Sequence, residues 1–249
     1  MDIEKLEWDT DFFQTPVYRI SNPTLSKAHL QEQLSKALKL GASLVYWQSE
    51  KELSELDSLP MKGSLVDLKA TFITNLATTK GKRYSSLVET YHPSMKVEEL
   101  IDLAVQSGEY SRFSVDPNID LEKFHELYSI WARRSAAKEI ALEVFVIRSN
   151  TKIVAMLTAG TKNGIADIGL LAVDSSVRGQ GHGQTLVRHA QQWFQDRGFK
   201  QCQVVTQKNN LSACGLYQKC EFQIQKIEPF YHFWKKPVSY THLTLPTKA

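Results

Sequence analysis

Apolar positions along the chain change period several times, and each change predicts an element. In NPTLSKAHLQEQLSKALKLG, residues 22–41, Leu30, Leu34, Ala37 and Leu38 recur at helical spacing. The stripe predicts an amphipathic helix with Pro23 in its first turn and Gly41 closing it. ASLVYWQ and SLVDLKATFIT are short continuous apolar runs and predict strands. With the aromatic-rich opening LEWDTDFFQTPVYRI they make a small α/β unit. A Thr/Lys/Ser-rich stretch at 78–86 then reads as a boundary or an exposed loop.

Helical period returns in VEELIDLAVQSG, ending at Gly108, and in LEKFHELYSIWARRSA, where Leu121, Phe124, Tyr128 and Trp131 share a face. EVFVIRS, KIVAMLTAGT and IADIGLLAV predict three strands, with turns at Asn150 and Asn163-Gly164, and so an antiparallel meander. From Gly181 the period is helical again, with Leu186, Val187, Ala190 and Phe194 in a stripe and Gly198 at the C-terminal cap. KQCQVVTQ predicts a strand, NNLSACGLYQKC a short helix, and FQIQKI and FYHFWKK two final strands. The expected organisation is a smaller N-terminal α/β subdomain over 1–95, a second domain over 96–236, and a tail over 237–249.

Composition narrows the partners. Of 249 residues 42% are hydrophobic, and 30 basic residues nearly balance 27 acidic ones. A nucleic-acid binder carries a clustered basic excess, so none is expected as partner. No basic-then-apolar leader and no long apolar span is present, which leaves a soluble, cytoplasmic protein without membrane partner as the expectation. Cys202, Cys214 and Cys220 form no CxxC pair and read as reduced thiols. The seven histidines show no metal-type pairing, so no metal is expected.

One stretch carries chemistry: LLAVDSSVRGQGHGQTLVRHA. A strand, a glycine-rich turn and a helix start make an anion site, because the first-turn amides lack helical partners and the dipole favours negative charge. Arg178 adds a fixed cation, and a pyrophosphate is the natural guest. The GxGxG spacing of Gly179, Gly181 and Gly183 and the antiparallel lead-in do not fit a dinucleotide fingerprint. Gln184 and Thr185 after the last glycine do not fit a P-loop. A glycine-rich helix start without ligand is the plain alternative.

The meander, the strand ending LLAVD, the R-G-Q-G-H-G turn, the long helix, and TQKNNLSACGLYQKCEF together resemble the GNAT acetyltransferase family. The family signature [RQ]-x-x-G-x-[GA] is met by Arg178, Gly181 and Gly183, with one departure, Glu221, where a glycine is usual. The resemblance implies the GNAT acyl-CoA N-acyltransferase fold: α+β, with a central mixed, mostly antiparallel sheet and flanking helices. It implies acetyl-CoA as donor, with its pyrophosphate on Arg178, Gly179, Gln180, Gly181, His182 and Gly183 and its pantetheine arm along Leu171, Ala172 and Val173. The arm would lie in a slot between strands ending near Val173 and Thr206, and Asn210 would hold donor or water. Tyr217 takes the family position of the general acid, since a phenol with a pKa of about 10 can protonate a leaving thiolate at neutral pH. The side chain of His182 is expected to face solvent. Asp167, Glu143 and His232 are open choices for a base, each with a structural role as the plainer reading. Cys214 and Cys220 could form an acyl-cysteine, but no His/Asp partner stands at a recognisable spacing.

LEWDTDFF, YSRFSVDPNID, LYSIWARRS, TQKNNLSAC and YHFW resemble a sugar-nucleotide subgroup of the same family, over nearly all of residues 3–235. That likeness implies an amine-bearing small-molecule partner, the 4-amino group of a dTDP-4-amino-4,6-dideoxyhexose. Arg112 and Arg133 would meet its diphosphate, and Arg134 serves the helix end at least as well. Trp8, Phe12 and Phe13 read as core, and the first subdomain is assigned to acceptor or homodimer contacts. A protein N-terminus, a polyamine or an antibiotic is the alternative acceptor, and a non-catalytic acyl-CoA-binding protein the remaining class. VSYTHLTLPTKA resembles translated adaptor sequence. Deletion from Val238 onward should leave the melting temperature and turnover unchanged, measured by thermal denaturation and thiol release.

Overall fold

The computed structural model describes residues 3–78 and 85–236. Most of the polar stretch at 78–86 and the whole tail at 237–249 lie outside them. Two compact units emerge, Met1–Leu65 with Tyr231–Ala249, and Val66–Phe230. The boundary expected at residue 95 falls inside the second unit. The chain passes from one unit to the other within two long strands, β4 (Lys62–Asn75) and β10 (Gln223–Trp234).

The first unit is built from β1 (Ile3–Lys5), α1 (Glu7–Phe13), β2 (Val17–Ile20), α2 (Lys27–Lys39) and β3 (Leu44–Gln48). β1 pairs antiparallel with β2, and β2 parallel with β3, so α2 is the crossover that parallel pairing requires. Pro23 lies ahead of the helix rather than in its first turn. Asn22 accepts from the Thr24 amide at 3.0 Å in a tight turn, and Ser26 then caps α2 by accepting from the His29 amide at 3.3 Å. Leu30, Leu34 and Ala37 bury against Val45, Trp47, Tyr231 and Phe233. Phe12 is buried as expected of core, whereas Trp8 is 45% exposed.

The second unit holds the rest of β4, then β5 (Val88–Thr90), α3 (Val97–Ser107), α4 (Arg112–Val115), α5 (Leu121–Ala136), β6 (Glu143–Ser149), β7 (Lys152–Lys162) and β8 (Ile165–Val173). It continues with α6 (His182–Asp196), β9 (Gln201–Gln207), α7 (Leu211–Lys219) and β10 as far as Phe230. Strand order is β4-β9-β8-β7-β6-β5, antiparallel at every pairing except β8 with β9. This is the mixed, mostly antiparallel sheet with flanking helices expected from the resemblance. Leu186, Val187, Ala190 and Phe194 of α6 bury against Phe72, Ile168 and Val204. On α5 the buried face is Phe124, Leu127, Tyr128 and Ala132; Leu121 starts the helix, misses that seam and is 66% exposed. The two expected final strands are one continuous β10, because Pro229 keeps an extended φ and forfeits only a donor.

Glu221 follows α7 with φ 69°, the left-handed region that favours glycine. A non-glycine residue there costs on the order of 1–2 kcal/mol, which its exposed ion pair with Arg188 at 3.6 Å offsets little. Glu221→Gly should therefore raise the urea midpoint, by the equivalent of about 1 kcal/mol of unfolding free energy after the added chain entropy of glycine. An unchanged or lower midpoint would show that the turn is not strained.

Candidate acetyl-CoA site

Backbone pairing creates the central feature. β8 and β9 pair in parallel at Ala166↔Cys202, Asp167↔Gln203 and Ile168↔Val204, and there the pairing stops. β8 continues to Val173, still paired on its other edge with β7 through Leu157↔Leu171 and Ala155↔Val173. β9 continues to Gln207, still paired with β4 through Lys69↔Gln207. Beyond Ile168 and Val204 the facing edges of both strands are therefore left without a strand partner. A bulge assists the parting: the register with β7 shifts between Leu157 and Ala159. There the Thr158 hydroxyl accepts from the Leu170 amide at 2.7 Å, and Gly169 lies so close that a Cβ would stand 2.7 Å from that oxygen.

Above the slot lies the glycine turn. Asp174 accepts from the Ser176 amide at 3.0 Å and its hydroxyl at 2.5 Å, which pulls the carboxyl down to about 2. Gly179 and Gly181 take φ of 81° and 83°, turning the chain into α6. Gly183 serves a different need: a Cβ there would meet Leu216 Cδ2 at 3.1 Å, so its lack of a side chain lets α6 and α7 approach. The first helical bond runs from the Thr185 amide to Gly181 at 3.0 Å. The amides before it open onto the cleft without helical acceptors. Arg178 is exposed and folds back, its Nε donating to the Val173 carbonyl at 3.1 Å.

Tyr217 is set by a clamp on α7. Asn210 caps the helix start, its Oδ1 accepting from the Ala213 amide at 3.1 Å. At the other end Arg188 donates to the Lys219 carbonyl at 2.9 Å and Gln191 to the Cys220 carbonyl at 2.7 Å, both from α6. The phenol ring packs against Phe72 at 5.7 Å and Phe222 at 5.9 Å and is nearly buried. Burial pushes its pKa above that of an ordinary phenol, so it stays protonated at neutral pH.

A cleft of about 590 Å³ joins these parts. Leu171, Ala172, Val173, Arg178, Gly179, Gly181, His182, Gly183, Asn210 and Tyr217 line it together. Gln180 is exposed and stands outside the lining. His182 is half-buried in the wall rather than solvent-facing, because it opens α6 on the side of the cleft. Gln106, Glu109 and Tyr110 also line the cleft, and the Gln106 side chain accepts from the Ser175 amide at 3.2 Å. They lie some way back in the sequence, at and after the end of α3, and only the fold brings them to the turn.

Arg112 and Arg133 do not reach this lining. Arg112 is stacked between Phe113 and Phe230, 4.3 Å from each ring centre, and Arg133 lies 3.6 Å from Glu98 at the surface. The open choices for a base scatter. Glu143 pairs with Lys138 at 3.0 Å, Asp167 accepts from Gln203 at 2.9 Å, and His232 is buried beside Tyr46 in the first unit. Burial pushes the Cys220 thiol up to about 11 and raises Cys202 and Cys214 as well, so none is a ready thiolate. Among the described residues no cluster of metal-ligating side chains occurs, and no helix is long and apolar enough to cross a membrane.

Sheet, slot and turn together define an N-acyltransferase fold of the acyl-CoA type. Residues 109–222 match the family described as "Acetyltransferase (GNAT) family". The chain is similar to streptothricin acetyltransferase of Escherichia coli, 34% identical over 79 residues, 32% of this chain and 45% of that protein. It is similar to spore coat polysaccharide biosynthesis protein SpsD of Bacillus subtilis (strain 168), 22% identical over 137 residues, 55% of this chain and 47% of that protein. Each match thus spans less than half of the curated relative. The fold is shared with a GCN5-related N-acetyltransferase from Sphaerobacter thermophilus, with TM-score 0.59, 13% identity, and coverage of 94% of this chain and 76% of that one.

Gly183→Val should drive α6 from α7 at Leu216 and weaken acetyl-CoA binding at least about tenfold by calorimetry, equivalent to about 1.4 kcal/mol. Equal affinity in the valine variant would mean that the helix approach does not shape the site.

Proposed function

We propose that the chain is an acetyl-CoA-dependent N-acetyltransferase whose acceptor is the 4-amino group of a dTDP-4-amino-4,6-dideoxyhexose. The observation that carries the donor is the parting of β8 and β9 directly below the glycine turn. The free edge of β8 offers alternate N–H and C=O groups to the pantetheine amides of the donor, as an added strand would. The turn amides and Arg178 receive the pyrophosphate. Slot-facing amides of β8 stabilise the oxyanion as the acceptor amine adds to the thioester.

Tyr217 then gives its proton to the departing thiolate as the carbon–sulfur bond breaks. Burial raises the phenol, but it raises a thiolate in the same cleft too, so the two remain matched for transfer. Asn210, whose Oδ1 is committed to the helix cap, holds the donor through its amide NH₂. Supporting a sugar acceptor are the resemblances at both ends of the chain and the likeness to a protein named for polysaccharide biosynthesis. An antibiotic amine is the second reading, favoured by the 34% identity to a streptothricin acetyltransferase.

Release of free CoA, measured with amino-sugar nucleotides, streptothricin, polyamines and peptides, decides the acceptor. Turnover of the sugar nucleotide is expected; turnover of streptothricin alone would move the assignment. Tyr217→Phe should lower kcat by about 100-fold or more with acetyl-CoA affinity unchanged. Equal turnover would remove Tyr217 from the reaction.

A further inference from the structure

A donor lying between β8 and β9 can be reached from two faces of the sheet, and they differ sharply. On one face Ala70 and Phe72 of β4, Cys202 and Val204 of β9, and Ile168 of β8 are sealed beneath α6 and α7, Tyr217 included. Strand alternation puts Asp67, Lys69 and Thr71 of β4, Gln203 and Gln207 of β9, and Asp167 of β8 on the other face. That face is mixed, since Ile73 and Val205 share it, but it carries all the charged side chains of these three strands near the slot, and a charged acceptor is better matched to it.

Asp67 stands out within it. It lies on β4, two residues beyond the Lys69↔Gln207 pair where β9 ends and next to the lining of the cleft rather than in it, with the Gln207 side chain against it. Its Oδ1 is buried without a hydrogen-bond partner. A carboxylate oxygen in that state costs free energy unless a donor comes to it, and each such atom in a folded protein calls for an explanation. The groups facing Asp67 are Lys69 on its own strand, Arg112 from α4 and Tyr128 from α5. Lys69 in turn lies in the field of Glu228, Lys162 and Lys226. Desolvation outweighs the cations and lifts the Asp67 carboxyl to about 6, where a base working near neutrality belongs. Asp67 precedes the family-matched segment, which begins at residue 109, so no family position assigns it a role.

We propose that Asp67 is the general base of the acceptor site, its unpartnered Oδ1 taking the proton of the attacking amine on the charge-bearing face while Tyr217 protonates the thiolate from the apolar face. The proposal rests on the acetyl-transfer reading given above. As the nitrogen–carbonyl carbon bond forms and the carbon–sulfur bond breaks, one amine proton passes to Asp67, directly or through one water, and thence to solvent. The Tyr217 proton goes to sulfur and is restored from solvent.

The test compares wild type, Asp67→Asn and Asp67→Glu as full chains over pH 5–9. CoA release is followed with dTDP-4-amino-4,6-dideoxygalactose and, separately, with no acceptor, where water replaces the amine. Asp67→Asn should lower kcat about 100-fold or more, with acetyl-CoA affinity held, and Asp67→Glu should recover part of it. The wild-type kcat/KM should rise with pH through about 6 as Asp67 deprotonates, and this limb should vanish in Asp67→Asn. Removal of a desolvated charge should not lower the melting temperature; if it does, the recovery in Asp67→Glu decides. Wild-type turnover in Asp67→Asn, a retained limb, or a change in KM alone would overturn the proposal. If the sugar nucleotide is not a substrate, the acceptor reading fails and hydrolysis decides: its loss in Asp67→Asn supports the base, and its persistence overturns it. A wild type that consumes acetyl-CoA by neither route overturns both readings.

Discussion

Two parallel strands that stop pairing halfway set the terms for the rest of this structure. Backbone N–H and C=O groups in a buried sheet must find partners, and β8 and β9 forgo theirs beyond Ile168 and Val204. Each strand is held open from behind, β8 by β7 and β9 by β4, so the gap cannot close by sliding. The bulge at Gly169 and Leu170, fixed by the Thr158 hydroxyl, bends β8 away where the parting begins. An unsatisfied edge of this kind is open to pairing with an extended, amide-bearing segment.

Everything around the slot prepares it for one such ligand. The helix that follows β8 starts at the slot's mouth with free amides and left-handed glycines. The same helix reaches over with Arg188 and Gln191 to hold the C-terminal end of α7, while Asn210 holds its start. Tyr217 sits on the short helix held between these two anchors. Tyr217 lies on the apolar face of the sheet, and Asp67, Lys69 and Gln207 lie on the opposite one.

Much of this was legible beforehand because it is local. Spacing in RGQGHG and the helical stripe after it depend on short-range backbone geometry, whereas the parts given to Asn210 and Tyr217 came from the family resemblance. Errors arose at short and at long range. Pro23 lost its place to the Ser26 cap, Leu121 missed the seam of its own helix, and β10 ran straight through the gap between two runs read as separate strands. The division into units could not be read along the chain, since the last strand returns beside the first segment.

The chain's own pattern determined the element types and the glycine-rich turn at the start of α6, because periodicity and φ preference act within a few residues; the glycine usual at Glu221 came from the family resemblance. Tertiary structure alone decided which strand edges stay open and which wall Gln106, Glu109 and Tyr110 complete. It alone left one oxygen of Asp67 buried without a donor. Strand register and desolvation are set by neighbours distant in sequence, and no local pattern encodes them.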